Sequence, residues 1–274
     1  MFKEKEERMR RNSVKEALRK GEPSLGTWLS LGSPLVAEIL AGMGFSWLTV
    51  DMEHTAVDYS LAQAMLQAIA TTQAVPFIRV PWNDPKELKR ALDIGAYGVI
   101  IPNIKSPEEA ERAVKACRYP PQGFRGVGTL RGQVYGGPDY YARANEEVCV
   151  VLMIEDTEAV RRIEEIMRVP GADVFFIGPN DLASSMGVPL GLDNPHPDHK
   201  AAVRQVLETG KRLGVPVGIH CTSAEEASRR IEEGFLWLPV ASDARFLMAS
   251  AREALAHLKG LRHPAPERAD LGIG

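Results

Sequence analysis

Residues 215–240 read VPVGIHCTSAEEASRRIEEGFLWLPV, and this stretch decides the fold. It opens with an apolar run, Val215 to Ile219, and closes with another, Trp237 to Val240. Between them Ser223 stands before a run with two acids, and Gly234 follows the last helical position. Serine at the N-cap, acids in the first turn and glycine after the last turn are the end signals of an α-helix. The stretch therefore predicts a strand–helix–strand unit.

The same alternation of apolar run and helix signal extends over the rest of the chain. Helices are predicted after Ser33 (SPLVAEILAGM) and after Ser106 (SPEEAERAVKAC). Most runs are continuously apolar, as expected of parallel strands that are covered on both faces. The predicted strands are Leu25 to Leu29, Trp47 to Asp51, Val75 to Val80, Gly98 to Pro102, Val148 to Ile154, Asp173 to Ile177, Val215 to Ile219 and Trp237 to Val240. Eight strands with intervening helices favour a closed (β/α)₈ barrel, the TIM barrel, over an open doubly wound sheet.

The length of the chain, 274 residues, suits one barrel, since such domains reach about 250 residues. We expect residues 1–260 to form a single barrel domain with a charged helix before Gly21, and residues 261–274 to form a mobile tail. Residues Tyr119 to Glu147 contain YPPQGFRGVGT and YGGPDYY. They predict a long ordered loop before the fifth strand, and such loops are more often functional than decorative.

Composition excludes several classes of protein. The net charge of −3 leaves no whole-chain electrostatic signal for nucleic acid or a membrane surface. No window approaches the ~20 apolar residues that a membrane-spanning helix needs, and the charged start MFKEKEERMRRN is not a secretory signal. Cys117, Cys149 and Cys221 lie far apart without a CxxC pair, which argues against a zinc ribbon or a disulfide framework and predicts a cytoplasmic protein.

Polar residues at the strand ends are the candidates for chemistry, because barrels of this kind carry their active sites there. Glu155 and Asp181 follow adjacent strands, so their carboxylates can converge on a hard divalent cation such as Mg²⁺ or Mn²⁺. Arg79 ends the third strand and can stabilise a developing oxyanion. His54 follows the second strand close to Asp51, and an acid next to a histidine fixes the tautomer of a base.

Each candidate has a plain structural alternative. Glu155 could be an acid that favours the dipole of the following helix, and Asp181 could be an N-cap before LASSMG. Asp156 and Asn180 compete for the same two caps, which weakens both alternatives. Arg79 ends an apolar strand, where an unpaired charge is costly, so function or a buried ion pair is favoured.

The remaining histidines are less informative. His54 by itself could be an ordinary strand-end residue, and His220 stays open between a site residue and a structural one. His196 and His199 lie in NPHPDH, a proline-rich turn, and are predicted to be surface residues. Asp243 after the last strand favours a helix cap.

Several motifs, taken together and in order, resemble the HpcH/HpaI aldolase family. They are DMEH at 51–54, RVPWND at 79–84, RYPPQGFRGVG at 118–128 and FIGPNDLASSMG at 176–187. The resemblance covers about residues 20–255 and any one motif alone would be weak. The family consists of class II, metal-dependent pyruvate aldolases, so the resemblance implies a barrel of the phosphoenolpyruvate/pyruvate type with a carbon–carbon lyase activity.

The resemblance also implies a role for each matching residue. Glu155 and Asp181 match the acids that bind the metal, and Arg79 matches the arginine that contacts the keto oxygen of pyruvate. His54 matches the histidine that serves, through water, as the acid/base, with Asp51 as its partner in a dyad. The expected cofactor is a divalent metal ion, Mg²⁺, Mn²⁺ or Co²⁺, and no organic cofactor is expected.

Further residues match the rest of the family's substrate site. Gly178, Asn180 and Asp181 match the loop whose backbone N–H groups receive the pyruvate carboxylate. Asp93, in LDIGA, matches an acid that reaches toward the site of a neighbouring subunit. The family forms hexamers with an exchanged C-terminal helix, so the resemblance implies a homo-oligomer that acts on a small 2-oxo acid and an aldehyde, without nucleic acid or membrane as partner.

The implied reaction is the reversible cleavage of a 4-hydroxy-2-oxo acid to an aldehyde and pyruvate, or a close analogue such as hydroxypyruvate. Lys89 and Lys105 end no apolar run, which counts against a Schiff-base aldolase. One alternative is oxaloacetate decarboxylation or macrophomate-synthase-like condensation through the same enolate. Another is a non-catalytic barrel that binds a 2-oxo acid. Met153 favours the latter, because relatives often carry a glutamine there and a thioether donates no hydrogen bond.

The segment IHCTSAEEA at 219–227 also differs from relatives, which tend to be more apolar there. It borders the expected aldehyde pocket, so the aldehyde is the part of the substrate that the resemblance leaves open.

Overall fold

The structure is a computed structural model, and it describes residues 9–257. The strands are β1 Ser24–Leu29, β2 Trp47–Asp51, β3 Val75–Arg79, β4 Gly98–Ile101, β5 Cys149–Ile154, β6 Val174–Ile177, β7 Val217–Ile219 and β8 Trp237–Ser242. The helices are α1 Ser13–Arg19, α2 Pro34–Ala41, α3 Tyr59–Ile69, α4 Pro85–Asp93, α5 Pro107–Ala116, α6 Leu130–Gly136, α7 Tyr140–Glu147, α8 Thr157–Arg161, α9 Ile163–Met167, α10 Pro179–Ser185, α11 Pro197–Leu213, α12 Ala224–Glu233 and α13 Asp243–His257.

The eight strands form one closed parallel barrel in chain order, which confirms the predicted (β/α)₈ fold. Each strand pairs with the next along the chain, and β8 returns to β1 with Ser24 opposite Trp237. Helices cover the outside, so the strands are buried on both faces and their apolar runs are continuous. The arrangement brings all eight C-terminal strand ends to one mouth, as the sequence predicts.

Aromatic rings and glycines fill the barrel interior together. Trp47 stacks on Trp237 with their ring centroids 3.9 Å apart, and Phe77 packs against both indoles. A Cβ on Gly26 would lie 2.1 Å from the ring of Trp47, and one on Gly98 would lie 2.1 Å from Phe77. Because the large rings occupy the space that side chains from these positions would need, only glycine fits there.

Asp243 joins the two ends of the barrel. Its buried carboxylate accepts hydrogen bonds from the backbone N–H groups of Ser30 and Leu31 and from the Ser30 hydroxyl. It also accepts from the N–H of Ala244 in the first turn of α13. The prediction that Asp243 is the cap is wrong, because α13 begins at Asp243 itself and the Ser242 hydroxyl accepts from the N–H of Arg245. Asp243 instead ties the loop after β1 to the helix after β8.

The loop predicted for Tyr119 to Glu147 is wrong in one respect, because it contains two helices, α6 and α7. The Thr129 hydroxyl accepts from the N–H of Gly132 and begins α6. Arg125 is buried beneath this segment and donates to the Tyr140 hydroxyl of α7. The glycines and prolines of the segment obscure its short helices, which are stabilised by packing more than by sequence propensity. The predicted tail, residues 261–274, lies outside the described residues.

Within residues 9–257, no helix is both long enough and apolar enough to cross a membrane.

Candidate active site

A cavity of about 430 Å³ opens at the C-terminal mouth of the barrel. Its wall takes polar side chains from strands on all sides, including Asp51 after β2, Arg79 at the end of β3, Asp181 in α10 and His220 after β7. His54 lies at the same rim with its side chain 60% exposed. The fold thus brings together Asp51 and His220, which lie 169 positions apart along the chain.

Glu155 is a buried carboxylate that does not serve as the cap of the next helix. The N-cap of α8 is Asp156, whose side chain accepts from the N–H of Glu158. Glu155 turns inward instead, and its Oε1 accepts from the backbone N–H of Asn103 at 2.7 Å. Asn103 has a positive φ of 59°, an uncommon conformation for a residue with a side chain, which presents its N–H to Glu155. The helix-dipole alternative for Glu155 is therefore not supported.

Asp181 lies in the first turn of α10 and lines the cavity. The N-cap of this helix is Gly178, so Asp181 is not the cap that the structural alternative required. Asn180 is not a cap either, because its Oδ1 accepts from the N–H of Gly191 and so fixes the following loop. Both acids of the predicted pair are left available at adjacent strand ends.

Gly178 has a different part from the predicted one. Its N–H points to the carbonyl of Ile154 at 3.3 Å, so it is already engaged and is not free for a substrate carboxylate. The position matters because it lacks a side chain. A Cβ there would lie 3.0 Å from Oε2 of Glu155, so glycine makes room for the carboxylate beside the cavity. Amides of Asn180 and Asp181 remain the candidates for binding a carboxylate.

The two acids fit a hard divalent cation. Burial raises the pKa of Glu155, the N–H of Asn103 opposes this, and the negative charge of Asp181 raises it further. A cation between the two carboxylates would relieve both the burial and the repulsion. Among residues 9–257 no cluster of three or more His, Cys, Asp or Glu ligands occurs. Two carboxylates with water and substrate in the other positions is a ligand set that suits Mg²⁺.

Arg79 is held in place by two side chains, Asp51 and Trp28. Its Nε and Nη2 donate to the two carboxylate oxygens of Asp51 at 2.9 and 2.7 Å, and its guanidinium lies 4.5 Å from the ring centre of Trp28. Burial raises the pKa of Asp51, but the charge and hydrogen bonds of Arg79 outweigh burial and lower it. Asp51 is therefore an anion that orients the guanidinium.

The predicted dyad of His54 and Asp51 is not formed by the imidazole. The described contacts pair Asp51 with Arg79 and with the backbone N–H groups of Glu53 and His54. The carboxylate within reach of the ring is that of Glu53, whose Oε2 lies 3.6 Å from Nε2 of His54. Asp51 is engaged by two hydrogen bonds from the buried Arg79. The acid next to the imidazole of His54 is therefore Glu53.

Glu53 is the residue that the sequence analysis missed. Its Oε2 lies 3.2 Å from Nη1 of Arg79 but has no well-aligned hydrogen bond within the described part of the chain. Burial raises the pKa of Glu53 to about 7, against the charge of Arg79 and with a further rise from Glu155, Asp51 and Asp181. A carboxyl whose pKa burial raises this far, next to other charged residues of the site, is a candidate functional group. The sequence feature that could have identified Glu53 is its position in DMEH, between Asp51 and His54.

His199 departs from its prediction, and Asp93 makes a contact that the sequence did not predict. His199 is buried instead of exposed, and its Nε2 contacts the Pro179 carbonyl at 2.9 Å, at the start of α10. Asp93, predicted to reach a neighbouring subunit, accepts a hydrogen bond from Arg125 of its own chain at 2.9 Å. The side chain of Asp93 is 25% exposed, so one face of it remains open to solvent.

Met153 is buried beside Gly178 and also lines the cavity. Met153 therefore offers no hydrogen-bond donor to the cavity, as predicted from the sequence.

A closed parallel barrel with acids, an arginine and a histidine at the mouth defines a (β/α)₈-barrel enzyme. Residues 24–249 match the family described as HpcH/HpaI aldolase/citrate lyase. The chain belongs to this family, and it is accordingly an enzyme of the lyase class.

Individual relatives agree with this assignment. A protein named 4-hydroxy-2-oxo-heptane-1,7-dioate aldolase from Shigella sonnei is 41% identical over 249 residues, which are 89% of this chain and 94% of that protein. An HpcH/HpaI aldolase/citrate lyase family protein from Burkholderia cenocepacia J2315 is 40% identical and has a similar structure, with a TM-score of 0.85 over 90% of this chain and 98% of that chain. Macrophomate synthase, 25% identical, gives a TM-score of 0.78 over 91% and 90% of the two chains.

Proposed function

We propose that the protein is a divalent-metal-dependent aldolase that reversibly cleaves a 4-hydroxy-2-oxo acid to pyruvate, or a close analogue such as hydroxypyruvate, and an aldehyde. The observation that carries the proposal is Glu155, a buried carboxylate that no helix end requires and that lies near a second acid, Asp181. Relatives named as aldolases of a 4-hydroxy-2-oxo diacid support the reaction class. Mg²⁺, Mn²⁺ and Co²⁺ are the candidate metals.

Glu155 and Asp181 would hold the ion. When bound, a divalent ion supplies Lewis-acid polarisation of the ketone of a 2-oxo acid. Asp51 and Trp28 hold Arg79 so that its unused N–H groups point a positive charge at the mouth, where the enolate oxygen develops in cleavage. Two of the five N–H donors of Arg79 are bound to Asp51, which leaves donors for this oxygen.

His54 and Glu53 are proposed to move the proton. In cleavage the hydroxyl at C4 loses its proton, the C3–C4 bond breaks, and the electron pair passes to the enolate, which takes up a proton at C3. His54 lies exposed at the rim and Glu53 lies 3.6 Å from its Nε2, so the pair can pass a proton between the cavity and solvent. Asn180 and Asp181 are proposed to bind the pyruvate carboxylate through their backbone N–H groups, and Asp51 to hold Arg79.

The test is retro-aldol turnover with and without metal. Removing metal with EDTA should abolish turnover, and adding Mg²⁺, Mn²⁺ or Co²⁺ should restore it. Glu155→Gln keeps an acceptor for the N–H of Asn103 but loses the charge, so its metal affinity and kcat/KM should fall by roughly 10²-fold or more. Asp156→Asn, in the neighbouring helix cap, is the matched control. Full activity in metal-free protein would contradict the proposal.

A second candidate is decarboxylation of oxaloacetate or a condensation that uses the same enolate. The similarity to the structure of macrophomate synthase favours keeping it. Steady-state rates on oxaloacetate against rates on 4-hydroxy-2-oxo acids separate the two, because the same enolate would make decarboxylation a slower side reaction of an aldolase.

We also propose a homo-oligomer, with a hexamer and an exchanged C-terminal helix as implied by the resemblance. Leu35 and Ile39 on α2, with Met43 just after the helix, form an exposed apolar stripe, and Leu247 and Leu255 are exposed on α13. Apolar stripes on two helices are typical of a subunit interface. The possible reach of Asp93 into a neighbouring site belongs to this proposal.

Two further proposals concern the extent of the domain and the location of the protein in the cell. Residues 1–260 are proposed to form one domain. A cytoplasmic location is proposed because Cys117, Cys149 and Cys221 are all free and buried, as is usual in a reducing compartment.

A further inference from the structure

His220 lies in the cavity without a part in the reaction described above. It follows β7 and faces the mouth from the side opposite β3 and β4, since the strands close in chain order. The acids and Arg79, which serve the 2-oxo acid, lie on other strands. The side of the cavity that His220 lines is therefore available to the remainder of the substrate, the aldehyde portion.

The tautomer of His220 is determined by a single contact. The indole Nε1 of Trp28 lies 3.0 Å from Nδ1 of His220. An indole nitrogen can only donate, so Nδ1 has to be the acceptor and carries no proton. A neutral imidazole has one N–H, and that hydrogen is therefore on Nε2.

His220 is also held in its neutral form. Burial, followed by the positive charges of Arg245 and Arg79, lowers its pKa to about 3. Within residues 9–257 Nε2 of His220 has no hydrogen-bond partner in the protein, and the atom is accessible to solvent. The Nε2–H group is consequently open to the cavity that His220 lines.

The side chains near His220 determine how strongly its Nε2–H group selects a ligand. Trp28, Met153 and Phe176 line the same part of the cavity, and none of them has a free polar hydrogen there, because the N–H of Trp28 is used on His220. An N–H group beside these apolar side chains selects for a ligand with an acceptor, since a ligand without one leaves the donor unsatisfied, and the nearby charges of Arg245 and Arg79 also favour such a ligand.

We propose that His220 is a specificity-determining residue whose Nε2–H donates to an oxygen substituent of the aldehyde, a hydroxyl or a carboxylate, beyond the reacting carbonyl. The inference rests on the aldolase function proposed above and names the class of aldehyde that it uses. Trp28 is the positioning residue, because the one side chain contacts Arg79 with its ring and orients His220 with its N–H.

The first experiment compares aldehydes of equal size with and without the oxygen. Addition of pyruvate is measured for glycolaldehyde against propanal, and for 4-oxobutanoate against 4-methylpentanal. In the parent, kcat/KM should favour the oxygenated member of at least one pair. In His220→Leu that preference should fall by roughly 10- to 100-fold, the loss expected when a buried acceptor finds no donor. The pair that responds shows whether the substituent is a hydroxyl or a carboxylate.

Two further variants separate recognition from folding. His220→Gln retains an N–H donor and should recover part of the preference. His196→Leu removes a histidine from the start of α11, away from the cavity, and should keep the parent's preference. An equal fall for both members of each pair in His220→Leu would indicate a structural role and overturn the proposal, as would an unchanged preference. A parent that adds pyruvate to no aldehyde contradicts the aldolase function itself.

A second experiment needs no turnover. Nitrogen-15 NMR of the imidazole distinguishes protonated from unprotonated ring nitrogens. His220, assigned by its absence in His220→Gln, should show a protonated Nε2 and a bare Nδ1 from pH 5 to 8. Trp28→Phe removes the indole N–H and should release this tautomer and weaken the aldehyde preference. A protonated Nδ1 in the parent would overturn the proposal.

Discussion

Asp51 and Glu53 are separated by one residue, yet their surroundings move their pKa values in opposite directions. Asp51 receives two hydrogen bonds from Arg79, and its pKa is lowered despite burial. Glu53 meets the same guanidinium at 3.2 Å without a well-aligned hydrogen bond, and burial raises its pKa to about 7. Titratable groups whose environments separate their pKa values in this way are the usual basis for assigning acid and base roles.

Arg79→Lys tests whether the planar guanidinium of Arg79, with its paired N–H donors, is required. Lysine keeps the charge but makes no bidentate bond to Asp51 and no stacking contact with Trp28, so the charge is no longer held at the enolate oxygen. We expect kcat/KM for retro-aldol cleavage to fall by about 10²–10³-fold, as for loss of an oxyanion donor. Arg162→Lys, at an exposed ion pair with Glu165, is the matched control. A rate within a few-fold of the parent would argue against this role.

Glu53→Gln, measured in metal-free protein, tests whether the carboxyl of Glu53 stays protonated in the folded chain up to about pH 7. Between pH 4.5 and about 7 the folded chain keeps a proton on Glu53 that the unfolded chain loses. The folded state then binds more protons, so its stability falls as pH rises through this window. Glutamine does not ionise, so the variant should gain roughly 1–2 kcal/mol over the parent at pH 8, allowing for partial screening by solvent.

Urea unfolding at several pH values measures this gain, which should vanish below pH 4.5. Glu208→Gln, at an exposed position, is the control variant. A difference from the parent that does not depend on pH would rule out the assignment.

At the scale of elements, the strands depend on matched large and small residues. Gly26 in β1 faces Trp47 in β2, and Trp47 cannot move away because it stacks on Trp237 in β8. The three strands are thereby packed through one layer of rings. Sequence analysis placed these strands within two residues at each end but did not identify this layer, because it depends on which residues face inward at equal height.

Gly26→Ala should therefore overfill the interior. The added Cβ would lie 2.1 Å from the Trp47 ring, so the rings or the strand must shift. We expect a loss of about 3 kcal/mol in the free energy of unfolding, the upper end for overpacked cores. Gly191→Ala, whose Cβ would have its nearest neighbour at 3.7 Å, is the control and should change stability little. Equal stability of the two variants in urea unfolding would contradict the packing argument.

The helix ends illustrate which elements local sequence can place. Ser33, Ser106 and Ser223 each cap the helix that the sequence predicts, because a cap is a bond between residues two or three positions apart. α6 and α7 were missed, since both are short helices within a Gly- and Pro-rich segment. Tyr140 of α7 packs with Tyr119 on the buried Arg125, a contact that the sequence does not reveal.

At the scale of the whole molecule, the exposed apolar stripe of α2 predicts assembly. Replacing Leu35 and Ile39 together by Glu places two charges in that stripe, and burying them in an interface would be costly. Sedimentation velocity should show a homo-oligomer for the parent and smaller species for the double variant. Leu190→Glu, at another exposed apolar position, should assemble as the parent does. A monomeric parent would contradict the proposed oligomer.

Most residues of the candidate site could be predicted from the sequence, with Glu53 as the exception, but the contacts between them could not. Glu155, Asp181, Arg79 and His54 were identified because polar residues after apolar runs must emerge at the mouth of a parallel barrel. The partner of each was not identified. Asp51 was expected to orient His54 and instead binds Arg79, a difference of a few ångströms that the positions along the chain do not distinguish.

The amino-acid sequence by itself determined the eight strands, the capped helices and the family, because apolar periodicity, cap chemistry and motif order are local properties of the chain. Tertiary structure alone decided that Asp51 binds Arg79, that Glu53 lies beside the same guanidinium without a well-aligned hydrogen bond, and that Trp28 sets the tautomer of His220. Each of these depends on distances between side chains from different strands. Such distances exist only after β8 has closed on β1 and the interior rings have set the register.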